Sequence, residues 1–214
     1  RKAIELKSDY VEAYLNLGIV LLDLGDLKEA ELQTRKAIRV QPNSADANLN
    51  LGNILNNLGK SQEAELYSRK AIELNPDCAD AHLNLGNILN DLGKSQEAEL
   101  ITLKAIALKP DSVDAHLTLG SILNNLGKFQ AAELYSRKAI KINPNLAETH
   151  FNLGIILKKL GKLQEAKHEF QKCIEIEPNE INYLPDILDL LSSFCCWDDI
   201  EKYSSFFNRI GIEG

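Results

Sequence analysis

LNLGNILNNLGKSQEAELYSRKAIELNPD, residues 49–77, returns one period later as LNLGNILNDLGKSQEAELITLKAIALKPD, residues 83–111. The period is 34 residues. With Ala45 as position 1, position 8 holds Gly18, Gly52, Gly86, Gly120 and Gly154, and position 15 holds Gly25, Gly59, Gly93, Gly127 and Gly161. Ten of the twelve glycines therefore stand in two columns, so they punctuate one unit copied five times. Position 20 is Ala30, Ala64, Ala98, Ala132 and Ala166, and position 32 is Pro42, Pro76, Pro110, Pro144 and Pro178. Self-similarity at a fixed period is the sequence mark of a solenoid, in which each unit buries its apolar face only against its neighbours.

Each copy reads as a helical hairpin. Proline at position 32 stops one helix, and Asp77 with its equivalents Asn43, Asp111, Asn145 and Asn179 is placed to cap the next. Apolar residues at positions 3, 7, 10 and 14, such as Ala47, Leu51, Ile54 and Leu58, share one helical face. Gly59 follows the last leucine, where a left-handed residue ends the first helix. Ala64, Ala71, Ile72 and Leu74 form the inward set of the second helix. Gly52 and its equivalents lie in mid-helix, at a cost of roughly 1 kcal/mol relative to alanine. Close approach of the second helix at the small position-20 alanine is the expected compensation, so that Gly52→Leu separates the hairpin.

The period, with Leu, Gly, Gly, Ala, Ala and Pro at these offsets, resembles the tetratricopeptide (TPR) repeat over residues 1–180. The resemblance implies an all-α, right-handed superhelical solenoid of antiparallel helix hairpins. The chain departs from the family at position 4, usually a large aromatic, where it has Tyr14, Asn48, His82, His116 and His150. It departs again at position 24, with Thr34, Ser68, Thr102, Ser136 and Phe170, so lighter packing between repeats is expected. Five full repeats span 11–44, 45–78, 79–112, 113–146 and 147–180. Residues 1–10 match the second helix of a preceding repeat, because Arg1 falls at position 25. The chain thus reads as a fragment whose N-terminal end exposes apolar surface and can self-associate. Over 181–214 the pattern dissolves, with Leu188 in place of glycine and Ile200 in place of alanine, as in an atypical terminal hairpin or a junction.

The net charge of −7 and the lack of a Lys/Arg-rich run argue against nucleic acid or a membrane surface as partner. No apolar run approaches the roughly 18 to 20 residues of a membrane span. Four cysteines, of which only Cys195 and Cys196 are adjacent, lack the spacing of a disulfide framework and point to a reducing, cytoplasmic setting.

Positions 2, 6, 9 and 13 of the first helix fall within an arc of about 60° and form a polar stripe. Position 2 is Glu12, Asp46, Asp80, Asp114 and Glu148. Position 6 is Asn16, Asn50, Asn84, Thr118 and Asn152, and position 9 includes Asn53, Asn87 and Ser121. Asparagine is a poor helix former, so nine asparagines at positions 6, 9, 12 and 13 of the three central copies ask for a reason. One reading is a solvated helix face. The other is that carboxamides offer both a donor and an acceptor to a peptide backbone. The position-6 asparagines resemble the ladder by which O-GlcNAc transferases hold extended polypeptide. That resemblance implies a peptide-binding groove at Asn16, Asn50, Asn84 and Asn152, with Thr118 a gap in the ladder and Asn53, Asn87 and Ser121 beside it. If the stripe is solvated, Asn50→Ala and Asn84→Ala leave the fold at least as stable.

His82, His116 and His150 recur every 34 residues, but equivalent side chains of stacked repeats stand about 10 Å apart, too far to share a zinc ion. They read as packing residues, and no metal site, cofactor site or catalytic constellation is expected. LLSSFCCWDDIEKYSSFFNRIGIEG, residues 190–214, is similar to the junction between the TPR array and the catalytic domain of O-GlcNAc transferase-like and SPINDLY-like enzymes. The resemblance implies a noncatalytic, substrate-recruiting region that takes extended polypeptide or a protein partner in its concave groove. The alternative is a stand-alone scaffold for protein-complex assembly.

Overall fold

A computed structural model describes residues 11–178 together with Tyr183, Pro185, Ile187 and Asp189. Among them the chain is all-α. The helices form five successive pairs: α1 (Val11–Asp23) with α2 (Leu27–Val40), α3 (Ala45–Asn57) with α4 (Ser61–Leu74), α5 (Ala79–Asp91) with α6 (Ser95–Leu108), α7 (Val113–Asn125) with α8 (Phe129–Ile142), and α9 (Ala147–Lys159) with α10 (Leu163–Ile176). The chain divides into two compact units, Arg1–Asp111 and Ser112–Gly214. The first holds α1–α6 and the second α7–α10. The expected helix remnant over 1–10 and its self-association, and the expected hairpin over 181–214, lie outside the described residues apart from the four single positions.

The turn inside each hairpin is the one the glycine column requires. Gly25, Gly59, Gly93, Gly127 and Gly161 have φ between 71° and 76°. At Gly59 its N–H donates to the Asn56 carbonyl and the Lys60 N–H to the Leu55 carbonyl, both at 2.9 Å. This is the Schellman arrangement, which satisfies carbonyls that the helix end would otherwise leave open. The helix starts differ from expectation. Asn43, Asp77, Asp111 and Asn145 sit in the turn, and the cap is one residue later, at Ser44, Cys78, Ser112 and Leu146. Ser44 and Ser112 accept from Ala47 N and Ala115 N. The turn after proline consumes the residue that the sequence reading assigned to the cap.

In the first unit, Leu51 and Leu55 of α3 pack with Ala64 of α4 and Ile88 of α5. Position 11, which the sequence reading left out of the apolar face, is buried at Leu21, Leu55, Leu89, Leu123 and Leu157, whereas Leu58 at position 14 is only half-buried. On the second helix Ala64, Ser68 and Ala71 are buried, and Ile72 and Leu74 are half-buried. The mid-helix glycines are explained mainly by position 24. A methyl group at Gly52 would overlap the Ser68 hydroxyl, with the Ala64 carbonyl second at 3.4 Å. At Gly154 it would stand 2.5 to 2.9 Å from three ring carbons of Phe170. In the second unit that ring packs with Leu153, Leu157, Ala166 and Ile187.

The polar residues at position 4 latch the preceding turn. Asn48 donates to the Ser44 carbonyl at 2.7 Å, and His82 and His150 donate from Nε2 to the carbonyls of Pro76 and Pro144 at 2.8 and 2.9 Å. Asn48, His82, His116 and His150 are all buried. Ion pairs run across the second helices. Arg35 joins Glu31 of its own helix to Glu63 of α4, and Arg69 joins Glu65 to Glu97 of α6, the crossing bonds being 2.6 Å each. Lys60 and Lys94 reach back to Glu31 and Glu65. In the second unit, Arg137, Glu133, Glu165 and Lys162 repeat the arrangement.

Candidate functional site

Two adjacent first helices of the first unit, α3 and α5, enclose a cleft of about 340 Å³. Leu49, Asn50 and Asn53 line it from α3, and Asp80, Leu83, Asn84 and Asn87 from α5. The identical spacing LNLGN in both copies places a leucine at position 5 and asparagines at positions 6 and 9 on the same side of each helix.

The four carboxamides are not equivalent. Asn53 and Asn87 are exposed and Asn50 is half-buried. Asn84 is only 9% exposed, and its amide donates to the Leu49 carbonyl at 3.4 Å and approaches the Ser68 hydroxyl at 3.5 Å. It stands 3.4 Å from where a methyl group on Gly52 would sit. Asn84 therefore packs against the preceding hairpin, contrary to the expectation of a solvated stripe. Position 12 is also structural. Asn56 donates to Asp91 at 2.9 Å and accepts from the Ser61 hydroxyl at 3.0 Å, tying α3 to α5 and to the start of α4. In the second unit Phe129 replaces that serine, and Asn124 Oδ1 is buried without a partner.

Of the residues singled out in the sequence, the structure brings Asn50, Asn53, Asn84 and Asn87 into one cleft. Asn16 is exposed on α1 and does not line it. Thr118 and Ser121 on α7 and Asn152 on α9 are half-buried in the second unit. Leu49 and Leu83 were missed as walls of the cleft. Their signal was the column Leu15, Leu49, Leu83, Leu117 and Phe151 at position 5, next to the asparagines.

The acids of position 2 give the first helices negative starts. Asp80 sits at the edge of the cleft. In the second unit, burial raises the Glu148 carboxyl above its ordinary range, helped by Asp114 and Glu177 nearby. Among the described residues no three His, Cys, Asp or Glu side chains are grouped to hold a metal ion. No helix among them is long and apolar enough to cross a membrane.

Family models described as tetratricopeptide repeat match residues 15–74, 57–112, 113–146 and 147–180. The chain belongs to the tetratricopeptide repeat family. It is a TPR scaffold, a class whose stacked repeats present extended binding surfaces to peptide or protein partners. No curated protein matches the sequence. Solved structures share the TPR fold: PilF of Pseudomonas aeruginosa is 23% identical, with 95% of this chain and 93% of that one covered at a TM-score of 0.80. TTC0263, a TPR protein of Thermus thermophilus, is 20% identical, with 85% and 98% covered at 0.74. YrrB, a TPR protein with an unusual peptide-binding site, is 23% identical, with 86% and 95% covered at 0.64.

Proposed function

We propose that this TPR chain holds extended polypeptide through the asparagines of its first helices. The observation behind this reading is the cleft of about 340 Å³ in which Asn50, Asn53, Asn84 and Asn87 converge from α3 and α5. A carboxamide presents a donor and an acceptor together, the same pair that a peptide backbone presents at every residue. Leu49 and Leu83 add apolar contact, and Asp80 favours neutral or basic segments. Asn16 in the first unit, and Thr118, Ser121 and Asn152 in the second, stand in the same columns of the other copies, so each unit offers polar side chains of this kind on its first helices.

In this reading the chain is the substrate-recruiting, noncatalytic region of a larger O-GlcNAc transferase-like protein of the cytoplasm. The position-6 asparagines and the segment around Cys195, Cys196 and Trp197 support it. YrrB offers a precedent for peptide binding on this fold.

Titration calorimetry with a panel of unstructured peptides tests the binding mode. Weak binding, little preference for acidic C-termini and a modest loss with salt are expected. A strong preference for acidic tails that disappears at high salt contradicts it. The transferase assignment has its own check, since it requires a glycosyltransferase domain encoded in frame after Gly214.

A further inference from the structure

The second helices of the first unit carry an apolar column that no part of the core uses. Leu32 on α2, Leu66 on α4 and Leu100 on α6 occupy position 22 and are 46%, 67% and 69% exposed. Single exposed leucines are ordinary on protein surfaces. Three at one repeat position, on helices held side by side by the Arg35–Glu63 and Arg69–Glu97 ion pairs, form a stripe. The stripe widens on α6, where Leu103 stands in place of Arg35 of α2 and Arg69 of α4, and Ala107 in place of Glu73 of α4. Leu103 is itself 37% exposed.

Basic residues line one edge of the stripe. Lys36, Lys70 and Lys104 follow the three leucines by four residues, one helical turn on, and Lys28 and Arg39 flank Leu32 on the same face. Of the acids near the stripe, Glu63 and Glu97 are paired with the two arginines and Glu73 with Lys70, while Glu29 keeps its charge and accepts from the Gln33 amide. A basic edge along an apolar stripe stands out in a chain of net charge −7. Equivalent side chains on neighbouring stacked helices are about 10 Å apart. Residues seven apart on a helix are separated by about 10.5 Å.

We propose that α2, α4 and α6 dock an acidic amphipathic helix of a partner protein across their exposed face. Its apolar residues, spaced by seven, seat against Leu32, Leu66 and Leu100, and its carboxylates meet Lys36 and Lys104 and exchange with Glu73 at Lys70. A second copy of this chain fits poorly, because a two-fold contact would set this lysine column against itself. The surface is separate from the cleft, whose lining residues all come from α3 and α5.

The test is fluorescence anisotropy with a synthetic helix carrying leucine in a seven-residue stripe and glutamate on both sides. Binding is expected to weaken with salt, to be lost when the glutamates are replaced by lysine, and to fall at least about tenfold in Leu66→Ser/Leu100→Ser. Both leucines are exposed, so this variant is expected to melt with the parent, and Asn50→Ala/Asn53→Ala is expected to bind the helix like the parent. No binding, equal binding of the lysine version, or loss of binding in the asparagine variant rather than the leucine variant would overturn the proposal. So would a concentration-dependent dimer in sedimentation that the leucine variant abolishes.

Discussion

Asn84 donates from its side-chain amide to the main-chain carbonyl of Leu49, on the first helix of the preceding hairpin, at 3.4 Å. The contact makes Asn84 both a wall of the cleft and a fastener between α3 and α5. Asn50, at the same repeat position, is half-buried. Asn84→Ala is therefore expected to destabilise the fold by about 1 kcal/mol or more, by removing a buried amide and opening a small space. Asn50→Ala is expected to leave stability level or raise it by up to roughly 0.5 kcal/mol through helix propensity. Denaturant melts of the two single variants measure the difference.

The mid-helix glycines are expected to differ in what they tolerate. A methyl group at Gly52 meets the Ser68 hydroxyl, which can rotate away or be removed. At Gly154 it meets the Phe170 ring, itself wedged among Leu153, Leu157 and Ala166. Gly154→Ala is expected to cost about 1–3 kcal/mol by overpacking. Gly52→Ala should cost less, and Gly52→Ala/Ser68→Ala should recover most of that loss. Thermal melts of the three variants decide it, and equal losses at both glycines would mean that the position-24 side chain does not set the tolerance.

The fold was legible because its signals are covalent and periodic. Gly59 had to be left-handed after a run of apolar positions, and the five φ angles between 71° and 76° are what that column requires. What escaped the sequence was decided by contacts between hairpins. That His82 packs is legible from its aromatic column, but not that Asn48 and His82 do so by donating to carbonyls of the preceding turn. Asn84 and Asn50 share the context LNLGN, so only the packing of α5 on α3 could separate them. Leu49 and Leu83 gave a column but no role, since an apolar residue beside a polar stripe is ordinary helix patterning.

The ion pairs set an acid limit on stability. At Glu65 the hydrogen bond from Lys94 outweighs partial burial and, with Arg69, holds the carboxyl below its ordinary range. At Glu31, burial opposes the lowering but is overcome by Lys60 and Arg35. A carboxyl lowered in the folded state contributes stability fully above its unfolded value of about 4.3 and loses it as pH falls through the folded value. Glu148 has the opposite sign. Its raised carboxyl opposes folding at neutral pH and is relieved as pH falls through its folded value. Glu65→Gln is thus expected to lower stability at pH 7 by up to about 1 kcal/mol and to flatten the acid limb. Glu148→Gln is expected to raise stability at pH 7. Melts from pH 3 to pH 7 read both signs.

The accessible carboxamides of the cleft, Asn50 and Asn53, are expected to hold a peptide backbone. The test is titration calorimetry of one unstructured peptide into the parent and into Asn50→Ala/Asn53→Ala, alongside thermal melts. If each carboxamide contributes about 1 kcal/mol net, the pair of substitutions weakens binding roughly ten- to thirty-fold while the melting temperature is unchanged or higher. Unchanged affinity, or a loss of affinity that only follows a loss of stability, would mean that these carboxamides do not hold the peptide.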